Sequence, residues 1–183
     1  MDKEKIADLA KALLVEIGES PDREGLRDTP RRIAESYEKL FEGYRQDPRD
    51  LVTEFDGEDY DEMIICRDID FYSTCEHHML PFFGKVHIGY LPDKKIIGIS
   101  KLPRIVEIFA RRMQNQERMT MQIAQTINHL LKPKGVGVVI EAQHLCMMAR
   151  GVEKQNAIMT TSSFTNAFRN NQKTRSEFLK LIG

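Results

Sequence analysis

Apolar residues in the first part of the chain recur every three or four positions, which is the period of an amphipathic helix. In the first predicted helix they are Ile6, Leu9, Leu13, Leu14 and Ile17. A second helix is predicted to begin at Thr29-Pro30, with Thr29 as its N-cap and Pro30 in its first turn. The acidic stretch 45–61 is predicted to be a linker or an extended cover. Residues 1–61 are therefore expected to form an N-terminal helical region and linker.

From residue 62 onward the pattern changes to short runs of β-branched and apolar residues with turn residues between them. The predicted strands cover residues 63–71, 84–91, 95–100, 136–146 and 157–164. Helical periodicity returns over residues 103–113, 117–131 and 174–182. The order of elements, β-β-β-α-α-β-β, predicts an α+β domain over residues 62–183, with an antiparallel sheet and helices on one face.

Composition narrows the classes of function. The formal net charge of -1 provides no global field that would favour a nucleic-acid or an anionic membrane partner, so an anion site must be local. Charged residues follow Met1 at once, unlike in a signal peptide, and no apolar run reaches the roughly 20 residues of a membrane span. We therefore expect a cytoplasmic protein. Three cysteines are too few for a disulfide framework and are better explained as thiols, metal ligands or core residues.

Cysteine and histidine gather in two short segments. Cys75 and His78 form a C-x-x-H pair, a spacing that lets a tight turn present sulfur and nitrogen to one metal ion. His144 and Cys146 lie two residues apart on a predicted strand, so their side chains should point together at the end of a buried face. Cys75, His78 and Cys146 would give a tetrahedral zinc three ligands and leave a fourth position for water, which is typical of a catalytic site.

A closed, structural zinc site is the alternative. His77 and His144 lie in the same two segments, and either could supply a fourth ligand that holds the two halves of the sheet together. Such a site would suit a non-catalytic assembly module, although that reading leaves the second histidine and the nearby basic residues unexplained. Cys66 alternates with apolar neighbours on a predicted strand, which favours a core position.

Three basic residues are candidates for an anion site. Ser100 stands at a predicted strand–helix junction, where the first turn exposes unpaired N–H groups, and Lys101 and Arg104 can flank those donors. Arg150, four residues after Cys146, adds a planar guanidinium that suits phosphate oxygens. The alternative for Lys101 and Arg104 is that they are solvent-exposed basic residues at the start of a helix and bind no anion.

The start of the next predicted helix carries a candidate for base recognition. Gln116 and Glu117 stand there, and a carboxylate can accept hydrogen bonds from two adjacent N–H groups such as those of guanine. The alternative is that Glu117 complements the helix dipole, which is a common use of glutamate.

Six segments of the chain are similar to the GTP cyclohydrolase I family, four of them to its signature segments in order and spacing. The four are residues 75–78, 100–106, 116–118 and 144–152, and residues 29–34 and 173–178 resemble the family in addition. The resemblance covers nearly the whole chain. It implies a tunnelling fold, in which antiparallel sheets of several subunits join into a barrel, and a decamer of two stacked pentamers with active sites at subunit interfaces.

The resemblance also implies a reaction and a role for each candidate residue. The reaction is the zinc-dependent hydrolysis and rearrangement of GTP to 7,8-dihydroneopterin triphosphate with release of formate. The zinc ligands match Cys75, His78 and Cys146, and the acid–base histidines match His77 and His144. Positions around the ribose and triphosphate match Ser100, Lys101, Arg104 and Arg150, and the guanine-recognition segment matches Gln116 and Glu117.

Overall fold

The computed structural model describes residues 1–51, 53–57 and 59–183, and its α+β class is the predicted one. The helices are α1 (Lys3–Glu16), α2 (Thr29–Leu40), α3 (Lys101–Ala110), α4 (Gln116–Leu131), α5 (Leu145–Met148), α6 (Asn166–Asn170) and α7 (Gln172–Ile182). The strands are β1 (Glu54–Asp56), β2 (Ile64–Cys75), β3 (Pro81–Leu91), β4 (Lys95–Ile97), β5 (Met113–Gln114), β6 (Gly135–His144) and β7 (Met159–Phe164). Among the described residues, no helix combines the length and the apolar character that a membrane crossing requires.

Packing divides the chain into two compact units, Met1–Glu42 and Gly43–Gly183. In the first unit α1 packs against α2, and the side chain of Asp2 caps α1 by accepting from the Lys5 amide at 3.0 Å. The predicted N-cap of α2 is wrong: Thr29 is the first helical residue, and Asp28 precedes it. The helix starts earlier than expected because the carbonyl of Asp28 already accepts from the amide of Arg32, at 3.0 Å.

The stretch predicted as a linker contains regular elements. Two 3₁₀ turns, Glu42–Arg45 and Pro48–Leu51, precede β1, which pairs antiparallel with β4 in a small separate sheet. Among the described residues, β4 pairs with β1 and is not part of the main sheet. Val52 and Glu58, which fall within the predicted linker, lie outside the described residues. The division at residue 61 stays a prediction.

The main sheet has five strands in the order β5-β2-β3-β6-β7. The pairs β2–β3, β3–β6 and β6–β7 are antiparallel, as expected, and the two-residue β5 adds a parallel pair at the end of β2. In that pair Cys75 lies opposite Gln114, so the end of β2 adjoins the segment that leads into α4. The topology therefore brings the first cysteine segment to the start of α4.

The larger core lies between one face of this sheet and helices α3 and α4. The face of β6 that was predicted to be buried carries Val138, Ile140 and Ala142, each at most 2% exposed. This confirms the strand parity inferred from the sequence. Cys66 packs half-buried against the same core, and burial raises the pKa of its thiol.

The opposite face of the sheet is covered near one end by the C-terminal helices, a second layer that the sequence pattern did not predict. Phe168 of α6 and Phe178 of α7 are fully buried there. Gly89 on β3 and Gly137 on β6 lie directly opposite each other beneath the two rings. A Cβ at Gly137 would come within 2.6 Å of Phe168, and one at Gly89 within 2.7 Å of Phe178. The glycine pair therefore lets both rings lie against the sheet.

Candidate active site

The first cysteine segment forms a closed turn between β2 and β3. Strand β2 continues four residues beyond its predicted end at residue 71 and stops at Cys75. The amide of Cys75 donates to the carbonyl of Leu80 at 2.9 Å, and the amide of Met79 donates to the carbonyl of Cys75 at 2.8 Å. Met79 takes up the left-handed conformation, with φ 55°, that closes the turn. This local geometry holds Cys75 and His78 on one short loop.

The second segment differs from the prediction. Strand β6 ends at His144, and Cys146 lies on the single helical turn α5, so the expectation that both side chains share a strand face is wrong. The physical reason is that the pairing of β6 with its neighbouring strands ends here. Phe82 opposite His144 is the last pairing with β3, and β7 pairs no further than Ala142. Beyond His144 the backbone forms its hydrogen bonds within a helical turn, in which the amide of Ala149 donates to the carbonyl of Leu145 at 2.9 Å.

The two segments bring the three predicted metal ligands together. Ligand atoms of Cys75, His78 and Cys146 all lie within 4.8 Å of one another. Nη1 of Arg150 lies 3.3 Å from Nε2 of His78 at the edge of this cluster. Two cysteine sulfurs and a histidine nitrogen form a donor set that fits a divalent metal of the zinc type. The cluster can therefore hold a metal ion.

Electrostatics at Cys146 depend on its burial and its neighbour. Burial, followed by the contact with Cys75, raises the pKa of the Cys146 thiol. A metal ion binds the thiolate form of cysteine, so metal binding would release protons from the thiols. It would also offset the electrostatic cost of holding the two sulfur atoms close together.

A cavity of about 360 Å³ opens beside these groups. Most of the predicted site residues line it: Cys75, His77, His78, Gln116, Glu117, His144, Cys146 and Arg150. The acid–base candidates, the base-recognition candidate Glu117 and one phosphate-binding candidate thus share one concave wall with the metal cluster. Concave sites with a few convergent polar groups are typical of small-ligand binding.

The remaining predicted residues lie elsewhere on the chain, at the start of α3. Ser100 occupies the N-cap position without a capping side-chain hydrogen bond, Lys101 is half-buried and Arg104 is exposed. Helix α3 has ten residues, about 15 Å, and only beyond its other end does the chain reach the segment that pairs with β2. Ser100, Lys101 and Arg104 are not among the residues that line the cavity beside the metal cluster.

His144 is held by two neighbours. Its ring stacks nearly parallel on Phe82, with 4.6 Å between centroids and 5° between planes. Its Nε2 lies 2.8 Å from Oε1 of Gln116. Burial lowers the pKa of His144, against a smaller opposing effect from the charge of Glu117. Gln116 is itself only 2% exposed, and its part in guanine recognition stays a prediction.

His77 lies next to the cluster and is more accessible than His144. Its side chain is 65% exposed, and its Nδ1 lies 4.0 Å from the sulfur of Cys75. It is not among the three groups whose ligand atoms converge. Its position at the edge of the cavity suits a group that exchanges protons with solvent.

Sequence reasoning missed the connection between Glu76 and α4. The carboxylate of Glu76 accepts from Nδ2 of Asn115 at 2.7 Å and forms an ion pair with Arg118. Asn115 in turn caps α4 by accepting from the amide of Arg118 at 2.8 Å. Hydrogen bonds from Arg118 and Asn115 hold the pKa of Glu76 below its usual value. A carboxylate inside one motif and an arginine inside another were visible in the sequence, but their pairing depends on β5.

A model of a known protein family matches nearly the whole chain. The model of the GTP cyclohydrolase I family matches residues 6–183. The chain belongs to the GTP cyclohydrolase I family.

Similar curated proteins extend over most of the chain. The protein named GTP cyclohydrolase 1 in Chlorobaculum tepidum is 58% identical over 179 residues, which cover 97% of this chain and 80% of that one. The protein of the same name in Wolinella succinogenes is 53% identical over 182 residues, which cover 98% of this chain and 97% of that one. A solved structure of the archaeosine synthase QueF-Like in the apo form aligns with a TM-score of 0.47 at 12% identity, covering 56% of this chain and 92% of that chain. That likeness is too weak to add to the family assignment.

Proposed function

We propose that this chain is a zinc-dependent GTP cyclohydrolase that converts GTP and water into 7,8-dihydroneopterin triphosphate and formate. The observation that supports this most strongly is a shared cavity. A three-group metal cluster, the half-buried imidazole of His144, the carboxylate of Glu117 and the guanidinium of Arg150 all border it. Hydrolysis of a ring C–N bond in a charged nucleotide needs each of these chemistries.

The residues that would hold the zinc are Cys75, His78 and Cys146. Three protein ligands leave one position of a tetrahedral ion open, which distinguishes a catalytic from a structural site. When bound, zinc supplies an activated water for hydrolysis near neutral pH. We place the protein in the cytoplasm as part of this proposal, because thiol ligands stay reduced there.

His144 and His77 would move protons at the reacting ring. The C8 atom of guanine becomes a good electrophile when N7 is protonated, so an imidazolium close to N7, which donates its proton to that atom, can promote attack at C8. His144 is the better oriented of the two, because Phe82 and Gln116 fix its ring. His77 lies at the exposed edge and can return protons to solvent during formate release and the later ribose rearrangement.

Glu117 and Arg150 would orient the substrate at the two ends of the nucleotide. The exposed carboxylate of Glu117 can accept from N1–H and the amino group of guanine, whereas adenine presents an acceptor at N1. Arg150 offers a planar donor pair for phosphate oxygens. The triphosphate is bound and is not cleaved.

Ser100, Lys101 and Arg104 would join this site from a neighbouring subunit. They belong to the triphosphate and ribose region by family resemblance, and within one chain they do not line the cavity beside the metal cluster. An active site shared between subunits accounts for both facts. The assembly we propose is the decamer of two pentamers that the family resemblance implies.

A substrate comparison tests the proposal. Purified, zinc-loaded protein is incubated with GTP, ATP or guanosine, and formate is quantified. We expect turnover of GTP, rejection of ATP and weak binding of guanosine, because guanosine lacks the phosphates that charge-assisted hydrogen bonds would hold. Glu117→Gln should impair guanine recognition, and Arg150→Ala should mainly raise the GTP concentration required. Comparable turnover of GTP and ATP would contradict the proposal.

A further inference from the structure

The buried amide of Gln116 has a fixed orientation. Its Nε2 lies 3.0 Å from the carbonyl oxygen of Ile140 and 2.9 Å from that of Met159. Backbone carbonyl oxygens can only accept hydrogen bonds, so the NH₂ end of the amide must face these two atoms. The hydroxyl of Thr161, at 3.1 Å, is a further partner on the same side. Exchanging the two ends of the amide would place its oxygen against both carbonyls.

The orientation of Gln116 dictates the protonation pattern of the neighbouring imidazole. Because the NH₂ end faces β6 and β7, Oε1 is the atom that faces Nε2 of His144, at 2.8 Å. A carbonyl oxygen accepts, so Nε2 of His144 must carry a hydrogen. In the neutral ring the lone pair is then on Nδ1. No described residue makes a hydrogen bond to Nδ1.

The imidazole ring of His144 is confined to this orientation. The ring of Phe82 stacks against it, with 4.6 Å between the two centroids, which limits tilting of the imidazole. Rotation of the ring by half a turn would replace Nε2–H by a C–H at Oε1 of Gln116. That would leave a buried acceptor unsatisfied, because Gln116 is only 2% exposed and has little access to water.

We propose that Gln116 is a positioning residue: it fixes His144 as the Nε2–H tautomer, so that Nδ1 is the nitrogen that exchanges a proton with the bound nucleotide. The inference rests on the proposed function for the identity of the nucleotide, and it gives Gln116 a different role from a direct contact with guanine. A direct contact would require the amide to give up hydrogen bonds that it makes inside the protein.

The experiment compares the zinc-loaded wild-type protein with Gln116→Met and with a control on the same helix. Methionine has a similar length but provides no carbonyl acceptor for His144. The control is Asn128→Met, which removes the acceptor for Thr165, at 3.0 Å, and for Asn166, at 3.1 Å, three turns further along α4. It disturbs the packing of the helix without touching His144.

Two readouts are taken. The first is solid-state nitrogen NMR of histidine-labelled protein at about pH 8, where a free imidazole is neutral. The signal of His144 among the 5 histidines is identified by its loss in His144→Gln. The second readout is kcat and KM for formate release from GTP.

We expect wild-type His144 to show a protonated Nε2 and an unprotonated Nδ1, with no Nδ1–H form. In Gln116→Met the Nδ1–H form should appear, and kcat should fall about tenfold or more, as part of the 10²–10⁴ that positioned proton transfer contributes. KM should change by less than about threefold, because substrate binding is not the interaction removed. Asn128→Met should keep the wild-type tautomer.

Three results would overturn the inference. They are an Nδ1–H form in the wild type, an unchanged tautomer in Gln116→Met, and a rise in KM for GTP with kcat preserved, which would indicate a direct guanine contact. The first can be observed even if Gln116→Met does not fold. Absence of formate release by the wild type would refute the proposed function, while the NMR measurement would still decide the tautomer.

Discussion

Cys75 lies opposite Gln114 in the short parallel pairing of β2 with β5, and this pairing ties the metal segment to the start of α4. The amide of Glu76 extends the connection by donating to the carbonyl of Gln114 at 2.9 Å. The side chain of Glu76 then reaches Asn115 and Arg118. A metal ligand and the start of α4, which carries the proposed guanine-binding residue Glu117, are thus held in one local framework.

Glu76→Gln should disturb this framework without removing a metal ligand. The zinc content should stay at the wild-type level, whereas KM for GTP should rise about 3- to 10-fold because the start of α4 is less well positioned. Metal analysis and steady-state kinetics measure the two effects. A variant with wild-type kinetics would show that the ion pair does not position the site, and Glu153→Gln, an exposed glutamate, is the control.

The stabilisation that is lost in Glu76→Gln should depend on pH. The pKa of Glu76 lies below its usual value of 4.5 in the folded chain, chiefly because Arg118 and Asn115 donate to its carboxylate. Its ionised form therefore stabilises the fold above that usual value, and the stabilisation is lost as the pH falls through the folded pKa. The difference in melting temperature between wild type and Glu76→Gln should shrink as the pH is lowered below the usual value. A difference that stays constant would contradict the assignment.

Cys146→Ser should lose most of its zinc and most of its turnover. The serine hydroxyl is a poor ligand beside the thiol and the imidazole that remain. Cys66→Ser is the matched control, because Cys66 packs against the core and is not among the converging ligand groups. Elemental analysis of both proteins decides the point. Full metal content in Cys146→Ser would rule out the proposed ligand set.

Removal of the metal should make Cys75 and Cys146 prone to oxidation. Their sulfur atoms lie within 4.8 Å of each other, and a disulfide needs about 2.05 Å, which a small side-chain movement can provide. Chelation followed by mild oxidation should give a bond between these two residues, detected by peptide mass spectrometry. The zinc-loaded protein should resist the same treatment, and Cys66 should not take part in either sample. Equal oxidation with and without zinc would contradict the prediction.

Local spacing carried much of what the sequence could tell about the site. Cys75 and His78 lie on one turn, so a segment of four residues was enough to pair them. The ligand atom of Cys146 does converge with those of Cys75 and His78. The reason for expecting it there, a strand face shared with His144, was wrong, because where β6 ends depends on where β3 and β7 stop pairing with it. The residue pattern of one strand does not show how far the neighbouring strands pair with it.

Contacts between distant segments account for what was missed. Gln116 was predicted from resemblance as part of guanine recognition, but its hydrogen bonds to Ile140 and Met159 arise only when α4 packs across β6 and β7. Gly137 and Phe168 are a similar case, because the need for glycine at this strand position comes from the Phe168 ring that lies over it. Helical and strand periods report which face is buried, and they do not report which element covers it.

A mixed-subunit experiment tests whether the active site is shared. Arg104→Ala and His144→Ala should each have little activity alone when GTP is limiting, since each removes a group that the proposed site requires. Co-expression in equal amounts should restore about a quarter of wild-type activity, because random assembly gives some interfaces with both residues intact. No recovery, in oligomers shown to contain both variants, would indicate that Arg104 and His144 serve the same chain.

Release of formate from C8 of GTP is the measurement closest to the central claim. GTP carrying a labelled carbon at C8 is incubated with zinc-loaded wild-type protein and with Cys146→Ser at matched concentration. The account predicts that the wild type releases one labelled formate for each GTP consumed and leaves the triphosphate intact, while Cys146→Ser releases almost none. Consumption of GTP with the label retained in the nucleotide, or with phosphate released, would contradict it.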